Sequence, residues 1–266
     1  MAKKTSAELP VSVETVLKKL MCGEITLEEA ERRLAALNVR RIGDLAKLDL
    51  GRVYRTGAPE VVFAEGKDPK TVVEAAAALT KVNGYALVTR LNPAQIAEIK
   101  KELGRKFELE INAQARAILV KKRGCIIPEA GKVGILAAGT ADVPVAEEAA
   151  MAAKVMGCKV VKSYDIGVAG IHRLFEPLSR MIEDGVSAIV VVAGMEGTLP
   201  SIVSSLVDVP VIGVPTSIGY GVGLKGIGAL ITMLQTCSPK LAVMNIDNGF
   251  GGGVFAALIA RRVRRD

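Results

Sequence analysis

Several residue types that carry common protein chemistries are scarce in this chain. It contains no tryptophan, aromatic residues make up 3% of it, and His172 is its single histidine. The four cysteines, Cys22, Cys125, Cys158 and Cys237, form no C-x-x-C pair and show no zinc-like spacing with that histidine. We therefore expect neither a structural metal nor a disulfide framework, and the chain has few rings to stack on nucleic-acid bases.

A long apolar run is also missing, although 50% of the residues are hydrophobic. No stretch approaches the roughly 18 residues that a membrane helix needs, and the first residues lack the apolar segment of a signal peptide. We expect a cytoplasmic protein with no membrane partner. At 266 residues the chain can bury a full core, in one large domain or two modest ones.

The formal charge of +7 is compatible with nucleic acid and equally with a small phosphorylated substrate. The densest basic cluster, residues 261–265, is typical of a solvated helix end. A non-catalytic nucleotide- or RNA-binding module stays open as one hypothesis. We expect no nucleic-acid partner, because the basic residues are spread widely and rings are few.

The first 125 residues predict a helical hairpin followed by a small α/β domain. Thr26 and Glu29 match a capping box that separates helices over residues 12–21 and 26–37. Strands are expected at residues 52–54, 61–63, 85–90, 107–111 and 115–120, and helices at residues 69–81 and 93–103. Proline, glycine and charge then cluster at residues 126–131, which predicts a linker.

From residue 132 to residue 266, apolar strands alternate with helices. Strands are expected at residues 133–137, 159–163, 188–193, 211–214 and 241–246, and helices at residues 144–156, 172–183, 200–206, 228–234 and 254–262. This alternation predicts an α/β fold with a doubly wound parallel sheet. We expect the flavodoxin-like strand order 2-1-3-4-5.

The first and third strands of this sheet end in polar loops. In that strand order the two strands are neighbours, and ligands bind outside the carboxyl ends where the order reverses. The loops contain Gly139, Thr140, Asp142, Gly194, Met195, Glu196 and Gly197. Two carboxylates, a hydroxyl and helix N-termini there predict a phosphate cradle beside a reacting base. The pattern G-x-G-x-x-G does not follow the first strand, which disfavours a dinucleotide dehydrogenase.

Two segments of this domain resemble the PurE family of aminoimidazole ribonucleotide carboxylases and mutases. Residues 139–144, Gly-Thr-Ala-Asp-Val-Pro, are similar to that family's Gly-Ser-x-Ser-Asp-x-Pro loop, and residues 170–173, Gly-Ile-His-Arg, resemble its Ser-Ala-His-Arg segment. The resemblance implies that His172 shuttles a proton and that Arg173 holds a phosphate or carboxylate. The PurE histidine before Leu-Pro is absent, since this chain has Glu196 there, so a PurE-type carboxylase or mutase is the alternative hypothesis.

Other segments resemble the LarB family of nickel-pincer cofactor biosynthesis proteins over essentially the whole chain. They are Gly-Met-Glu-Gly at residues 194–197, Thr-Cys-Ser-Pro at 236–239, Asn-Ile-Asp-Asn-Gly-Phe-Gly at 245–251 and Arg-Thr-Gly-Ala-Pro-Glu-Val-Val at 55–62. This resemblance implies a PurE-like catalytic domain and an enzyme that carboxylates nicotinic acid adenine dinucleotide and hydrolyses its phosphoanhydride. The products would be pyridinium-3,5-biscarboxylic acid mononucleotide and AMP, the first step toward the nickel-pincer nucleotide of lactate racemase.

The implied reaction assigns roles to particular side chains. A pyridinium ring cannot attack carbon dioxide until a nucleophile adds to it, and a thiolate both adds and leaves readily. The resemblance therefore implies that Cys237 is the nucleophile, although its spacing alone indicates a small buried hydrophobe. Glu196, Asp247 and His172 are the candidate bases. Their structural alternatives are a helix cap, a turn residue and a hydrogen-bonded histidine at a helix start.

Cleavage of the phosphoanhydride adds negative charge that Mg²⁺, held by one or two carboxylates, commonly neutralises. Glu196 and Asp247 are the expected metal ligands, so base and ligand compete for the same residues. Carbon dioxide or bicarbonate is the expected co-substrate. The residues expected to bind substrate are Gly139, Thr140, Asp142, Arg173, Gly194, Met195, Gly197, Ser217, Lys225 and Asn248. For Lys225 the alternative is a solvent-exposed lysine.

PurE-like domains assemble as symmetric octamers. The resemblance therefore implies a homo-oligomer, with an octamer as the first expectation and sites shared between subunits. The charged residues of the N-terminal domain, Arg55, Glu60 and Lys67, are expected to cap turns, and the alternative is that they reach the site from a partner domain.

Overall fold

The computed structural model describes residues 12–35, 39–42 and 46–263. The end of the helix expected at residues 26–37 and the end of the basic cluster, residues 264–265, lie outside these ranges. Among the described residues, no helix is long and apolar enough to cross a membrane.

The N-terminal domain is built from helices and short strands. Its elements are α1 (Val13–Met21), α2 (Leu27–Ala35), β1 (Val39–Ile42), β2 (Ala46–Asp49), α3 (Arg52–Thr56), β3 (Val62–Phe63), α4 (Pro69–Asn83), β4 (Tyr85–Thr89), α5 (Pro93–Leu103), β5 (Glu108–Asn112) and β6 (Ala117–Lys121). Strands β1 and β2 form an antiparallel pair, and the others form a four-stranded sheet in the order β3-β4-β6-β5.

The C-terminal domain alternates strands and helices. Its elements are β7 (Gly131–Ala137), a 3₁₀ helix (Thr140–Asp142), α6 (Val143–Val155), β8 (Cys158–Ser163), a 3₁₀ segment (Val168–Leu174), α7 (Phe175–Glu183), β9 (Ala188–Ala193), α8 (Leu199–Leu206), β10 (Val211–Pro215), a 3₁₀ helix (Leu224–Gly226), α9 (Ile227–Leu234), β11 (Leu241–Val243) and α10 (Gly249–Val263).

The strands of this domain form one parallel sheet in the order β8-β7-β9-β10-β11. Numbered within the domain, this is the order 2-1-3-4-5, and the predicted flavodoxin-like α/β fold is confirmed. Every residue of the central strand β9 is buried. Helices cover both faces of such a sheet, which is why its central strand is a continuous apolar run.

The two domains share a hydrophobic core, because β4 and β6 of the smaller sheet are buried on both faces. Val88 and Ile118 pack among the side chains of α4 and α5. Leu87 and Leu119, on the opposite face, join the core of the larger domain together with the alanines of α6. Alternate residues of a strand point to opposite faces, so one apolar run serves two cores.

Four local expectations differ from the structure. Residues 52–56 form helix α3 instead of a strand, because Gly57 ends the helix at φ 76 and the Thr56 hydroxyl donates to the Arg52 carbonyl. The helix expected from His172 begins at Phe175, since Gly170 (φ −137, ψ 52) interrupts the preceding 3₁₀ segment. Helix α10 begins at Gly249, before the expected residue 254, and β11 ends at Val243.

Glu147 of α6 forms a hydrogen-bond network that joins the two domains. Its Oε1 accepts from Lys162 Nζ and from the Tyr164 hydroxyl, both at 2.7 Å, and its Oε2 accepts from Asn112 Nδ2 at 2.6 Å. Burial acts to raise the pKa of Glu147, but its hydrogen bonds to Lys162, Tyr164 and Asn112 and the charge of Lys162 outweigh it, so the pKa is lowered. The ionised carboxylate therefore stabilises the folded chain.

We expect Glu147→Gln to lower the free energy of unfolding at pH 7 by about 2–3 kcal/mol, because charge-assisted hydrogen bonds are lost. A lowered pKa gives stability that is present above the unfolded pKa of about 4.3 and is lost as pH falls through the folded pKa. Urea unfolding at pH 7 and at pH 3 measures both effects, and the difference from wild type should shrink at pH 3. Glu110→Gln, which removes an exposed pair with Lys154, is the control and should change stability by less than about 1 kcal/mol. Equal losses in the two variants would contradict this role for Glu147.

Candidate active site

A cavity of about 510 Å³ opens at the carboxyl ends of the parallel strands. Its wall is formed by the loops after β7, β8, β9 and β10. Five of the residues expected to form the site lie on this wall: Gly139, Asp142, Gly194, Met195 and Glu196. The loops after the first and third strands therefore meet across the cavity, where the strand order reverses.

Asp142 is the buried carboxylate of this cavity. Its Oδ1 accepts from the Thr216 hydroxyl at 2.6 Å, and its Oδ2 accepts from the Gly139 N–H at 2.9 Å. Burial raises the pKa of Asp142, and the negative charge of Asp247 adds to the rise, while hydrogen bonds from Thr216, Gly139 and Gly194 act to lower it. A carboxyl group with a raised pKa on a cavity wall can exchange a proton with a ligand.

Thr216 was not among the residues expected from the sequence. It is fully buried and follows β10 directly, so its hydroxyl lies under the loops that form the cavity. The available signal was a hydroxyl residue at the carboxyl end of a buried strand, next to Ser217.

We expect Thr216→Val to raise the pKa of Asp142 further and to lower the free energy of unfolding by about 1–3 kcal/mol, since a buried acceptor loses its donor. Carbon-13 NMR titration of Asp142 and urea unfolding measure the two effects. Thr80→Val is the matched control, because that fully buried hydroxyl donates to the Ala76 carbonyl in the other domain. The control should lose stability without changing the Asp142 titration; an unchanged titration in Thr216→Val would contradict the assignment.

Tight backbone packing fixes the loop after β9. A methyl group added at Gly194 would lie 2.4 Å from the Ile218 carbonyl oxygen, and one at Gly197 would lie 2.7 Å from Ala229 Cα. Gly197 has φ 67, and Met195, at φ 51, donates its N–H to the Ile218 carbonyl at 3.1 Å. The two glycines are therefore required by packing, and the turn between them holds the exposed side chain of Glu196 at the cavity wall.

Asp247 and Asn248 make the contacts of a turn and a helix cap. Asp247 has φ 58, its N–H donates to the Pro215 carbonyl at 2.8 Å, and its Oδ1 accepts from the Ser217 N–H at 2.8 Å. Asn248 Oδ1 accepts from the Gly251 N–H at 2.8 Å in the first turn of α10. The side chain of Asp247 thereby connects the loops after β10 and β11.

Two charged residues near this turn were not found from the sequence. Arg90, which follows β4 in the N-terminal domain, donates through Nη2 to the Asp247 carbonyl at 2.5 Å. Its Nε lies 3.5 Å from Glu148 Oε1, and the Phe250 N–H donates to Glu148 Oε2 at 3.2 Å. Burial raises the pKa of Glu148, and Asp247 adds to the rise, while Arg90 and Phe250 act to lower it. The contact between positions 90 and 247 spans 157 residues, which leaves no local signal in the sequence.

His172 and Arg173 belong to the 3₁₀ segment beside the cavity. His172 is exposed, and the cavity wall is formed by residues 167–169 of the same region. Arg173 Nη1 donates to Asp165 Oδ2 at 2.6 Å. This region therefore contributes backbone and small side chains to the cavity wall, whereas the Arg173 guanidinium is paired with Asp165.

Ser217 and Lys225 line a second, smaller cavity of about 210 Å³, which Met195 shares with the first. Lys225 is exposed and has φ 52, and the preceding residue Leu224 has φ 45. Left-handed backbone at a bulky residue such as leucine is uncommon and strained. This loop therefore holds its side chains in a defined, high-energy turn next to the larger cavity.

Cys237 lies at the amino ends of the parallel strands, whereas the cavity lies at their carboxyl ends. It follows the end of α9 and precedes β11, and nearby Lys240 donates to the Val207 carbonyl, just before β10. Strand β10 has five residues that rise about 3.3 Å each, so the amino and carboxyl ends of the strands are roughly 17 Å apart. Cys237 is exposed, and a single chain does not bring it to Glu196 or Asp247.

Within residues 12–35, 39–42 and 46–263, no group of three or more His, Cys, Asp or Glu side chains is arranged to hold a metal ion. Glu196 and Asp247 can offer one or two carboxylates. That number fits Mg²⁺ where substrate phosphates and water complete the shell.

Comparison with known proteins accounts for both domains. The family model described as AIR carboxylase matches residues 132–265, and the model described as LarB/PurE-like N-terminal domain matches residues 39–122. The chain belongs to the LarB/PurE-like family. The C-terminal domain of this LarB/PurE-like chain, which matches the AIR carboxylase model, contains the parallel sheet and the cavity; the chain is therefore related to carboxylases.

Individual relatives agree with the LarB/PurE-like assignment. An uncharacterised protein of Methanocaldococcus jannaschii is 48% identical over 241 residues, which are 90% of this chain and 93% of the relative. The N5-carboxyaminoimidazole ribonucleotide mutase of Thermotoga maritima is 31% identical over 133 residues, 48% of this chain and 74% of the relative. That of Pyrococcus horikoshii is 33% identical over 136 residues, 49% and 71% respectively. The similarity to these two mutases indicates that this chain is an enzyme.

Proposed function

We propose that this chain carboxylates the pyridinium ring of nicotinic acid adenine dinucleotide and hydrolyses its phosphoanhydride. The products are pyridinium-3,5-biscarboxylic acid mononucleotide and AMP. The observation that carries the proposal is the chemistry of the cavity wall, which holds Asp142 and Glu196 while the chain's single histidine lies outside it. The match of residues 39–122 to a LarB/PurE-like N-terminal domain supports the same reaction.

The carboxylation needs a temporary change in the ring. Addition of a thiolate gives a dihydropyridine, in which the ring nitrogen makes carbon 5 an enamine nucleophile. That carbon forms a bond to carbon dioxide, a base removes its proton, and expulsion of the thiolate restores the aromatic ring. Glu196, exposed on the cavity wall, is the proposed base, with Asp247 and His172 as the other candidates.

In the hydrolysis, the phosphoryl group of the pyridine mononucleotide half is transferred to water, and AMP is the leaving group. Glu196 and Asp247 are the proposed Mg²⁺ ligands, and the ion supplies neutralisation of the charge that develops on the phosphates. The glycine backbone of the loops after β7 and β9 lets a phosphate approach closely, and α6 begins directly after cavity-wall residue Asp142. Arg173 and Lys225 are proposed to hold a phosphate or the ring carboxylate.

Within one chain, Cys237 and the cavity lie at opposite ends of the parallel strands. The thiol can therefore reach a substrate in this cavity only from another copy of the chain. An apolar stripe on α9 supports such an assembly: Ile227, Ile231 and Leu234 recur at helical spacing and are each at least 40% exposed. Cys237 follows this stripe directly. We therefore propose a homo-oligomer, with an octamer as the first expectation, in which one subunit provides the cavity and another the thiol.

A PurE-type carboxylase or mutase is the second candidate. The loop that resembles the PurE family, residues 139–144, contributes Gly139, Ala141 and Asp142 to the cavity wall. The relatives of Thermotoga and Pyrococcus carry the mutase name.

One incubation separates the two candidates. Purified protein is mixed with nicotinic acid adenine dinucleotide, bicarbonate and Mg²⁺, and in parallel with N5-carboxyaminoimidazole ribonucleotide, and products are followed by mass spectrometry. We expect a ring-carboxylated mononucleotide and AMP from the dinucleotide. An untouched dinucleotide with conversion of the imidazole ribonucleotide would replace our proposal by the PurE-type reaction.

A further inference from the structure

Arg90 is anchored firmly in the N-terminal domain. It follows β4 with φ 55, and its guanidinium lies 5.3 Å from the centre of the Phe63 ring. Arg116 donates through Nε to the Leu91 carbonyl at 2.8 Å, which fixes the adjoining backbone. The backbone next to Arg90 is therefore held within the N-terminal domain, and the Phe63 ring of the same domain packs against the guanidinium.

The same guanidinium also contacts the turn that carries Asp247. That residue has φ 58, a left-handed conformation that few non-glycine residues adopt, so contacts from other residues hold it in place. The last residue of β10, Pro215, and Ser217 in the loop after it supply two contacts, and the Arg90 guanidinium supplies a third to the Asp247 carbonyl. The third contact comes from a different domain.

Arg90 also lies against a buried carboxylate of the catalytic domain. Glu148 is 5% exposed, and it accepts from the Phe250 N–H in the first turn of α10. The guanidinium, 3.5 Å away, supplies the positive charge on the other side of this carboxylate. Without it, a nearly buried charge loses its partner, and the start of α10 adjoining Asn248 loses a fixed support.

We propose that Arg90 is a positioning residue, through which the N-terminal domain fixes Asp247 and the start of α10 at the edge of the active site. This inference rests on the proposed function only in placing Asp247 among the reacting groups. It gives the N-terminal domain a defined part in the site, although none of the residues of that domain that the structure describes lines the larger cavity.

The kinetic test compares Arg90→Met, which keeps the apolar stem, with Arg90→Lys, which keeps the charge. We expect Arg90→Met to lower kcat at least 10-fold with a smaller change in KM, since small displacements of reacting groups are costly. Arg90→Lys should retain more activity, and added guanidinium at millimolar concentration should partly restore Arg90→Met. Glu65→Gln removes only the exposed partner of Arg90, at 3.6 Å, and should stay within twofold of wild type.

Amide hydrogen exchange gives a second readout that needs no substrate. In Arg90→Met we expect at least 10-fold faster exchange in peptides covering residues 215–219 and 245–250, with the strands of both sheets unchanged. If wild type is inactive on the dinucleotide but exchange rises locally, the role of Arg90 stands and the proposed reaction fails. Unchanged exchange, or a uniform rise across both domains, would overturn the inference. If Arg90→Met does not fold, Arg90→Gln, which also removes the charge, is measured against the same criteria.

Discussion

Cys237→Ala is expected to abolish carboxylation of the dinucleotide, with a rate about 10³-fold or more below wild type. Without the thiolate no dihydropyridine forms, and binding and electrostatic stabilisation alone leave the ring unreactive. Mass spectrometry of the products measures this loss. Cys22→Ala is the matched control, because Cys22 is also exposed, lies in the N-terminal hairpin and does not line the cavity. Full activity in Cys237→Ala would discard covalent catalysis by this residue.

Mixing two inactive variants tests where the thiol acts. Cys237→Ala retains the cavity and Glu196→Ala retains the thiol, so mixed oligomers contain some sites in which both groups are intact. We expect activity to return after the two variants are unfolded together and refolded, and not when each is treated alone. Wild-type protein taken through the same procedure is the control. If wild type regains activity and the mixture does not, the site is not shared between subunits.

Alkylation adds a comparison within one chain. Burial raises the pKa of the Cys158 thiol to about 11, so at pH 8 it should react far more slowly with iodoacetamide than the exposed Cys22 and Cys237. Substrate bound to the oligomer should protect Cys237 and leave Cys22 reactive.

Gly253→Ala is expected to lower the free energy of unfolding by about 3 kcal/mol, at the upper end of the usual cost of overpacking. The added methyl group would lie 2.1 Å from the Ala149 carbonyl oxygen and 2.9 Å from Ala152 Cβ. Both belong to α6, and a backbone carbonyl cannot rotate away as a side chain does. Helices α6 and α10 would have to move apart, and urea unfolding measures the cost.

Gly251→Ala is the matched control in the same helix. There the added methyl group meets the amide end of Asn248, a side chain that can move. The gain in helix propensity, about 1 kcal/mol, offsets the weakened cap, of similar size. We expect little net change, and an equal loss of stability in both glycine variants would show that close contact with α6 is not the cause.

The sheet and the cavity were predictable because their signals are local. Each strand of the parallel sheet is an apolar run bounded by glycine, proline or charge, and alternation with helices restricts the possible strand orders. The rule that ligands bind beyond the carboxyl ends of strands then selected Asp142 and Glu196, which both lie on the cavity wall. No structure-wide contact had to be known for these steps.

The remaining features depend on contacts between distant parts of the chain. Arg90, Glu148 and Thr216 are unremarkable in sequence and gain their roles from partners on other elements. The short helix over Arg52–Thr56 contains valine and tyrosine, which favour strands, and a left-handed glycine decides its conformation. The position of Cys237 between α9 and β11 implied that it lies at the amino ends of the strands. Only the assembled sheet shows how far that is from the cavity.

The core shared by the two domains has a thermodynamic consequence. Removal of residues 12–125 would expose the face of α6 that packs with Leu87 and Leu119 to water. At about 25 cal/mol per Å² of apolar surface, even a few hundred Å² amounts to several kcal/mol, comparable with the whole stability of a domain. The full chain should therefore melt in one calorimetric transition, and the carboxylase-like half should not persist as an independent fragment.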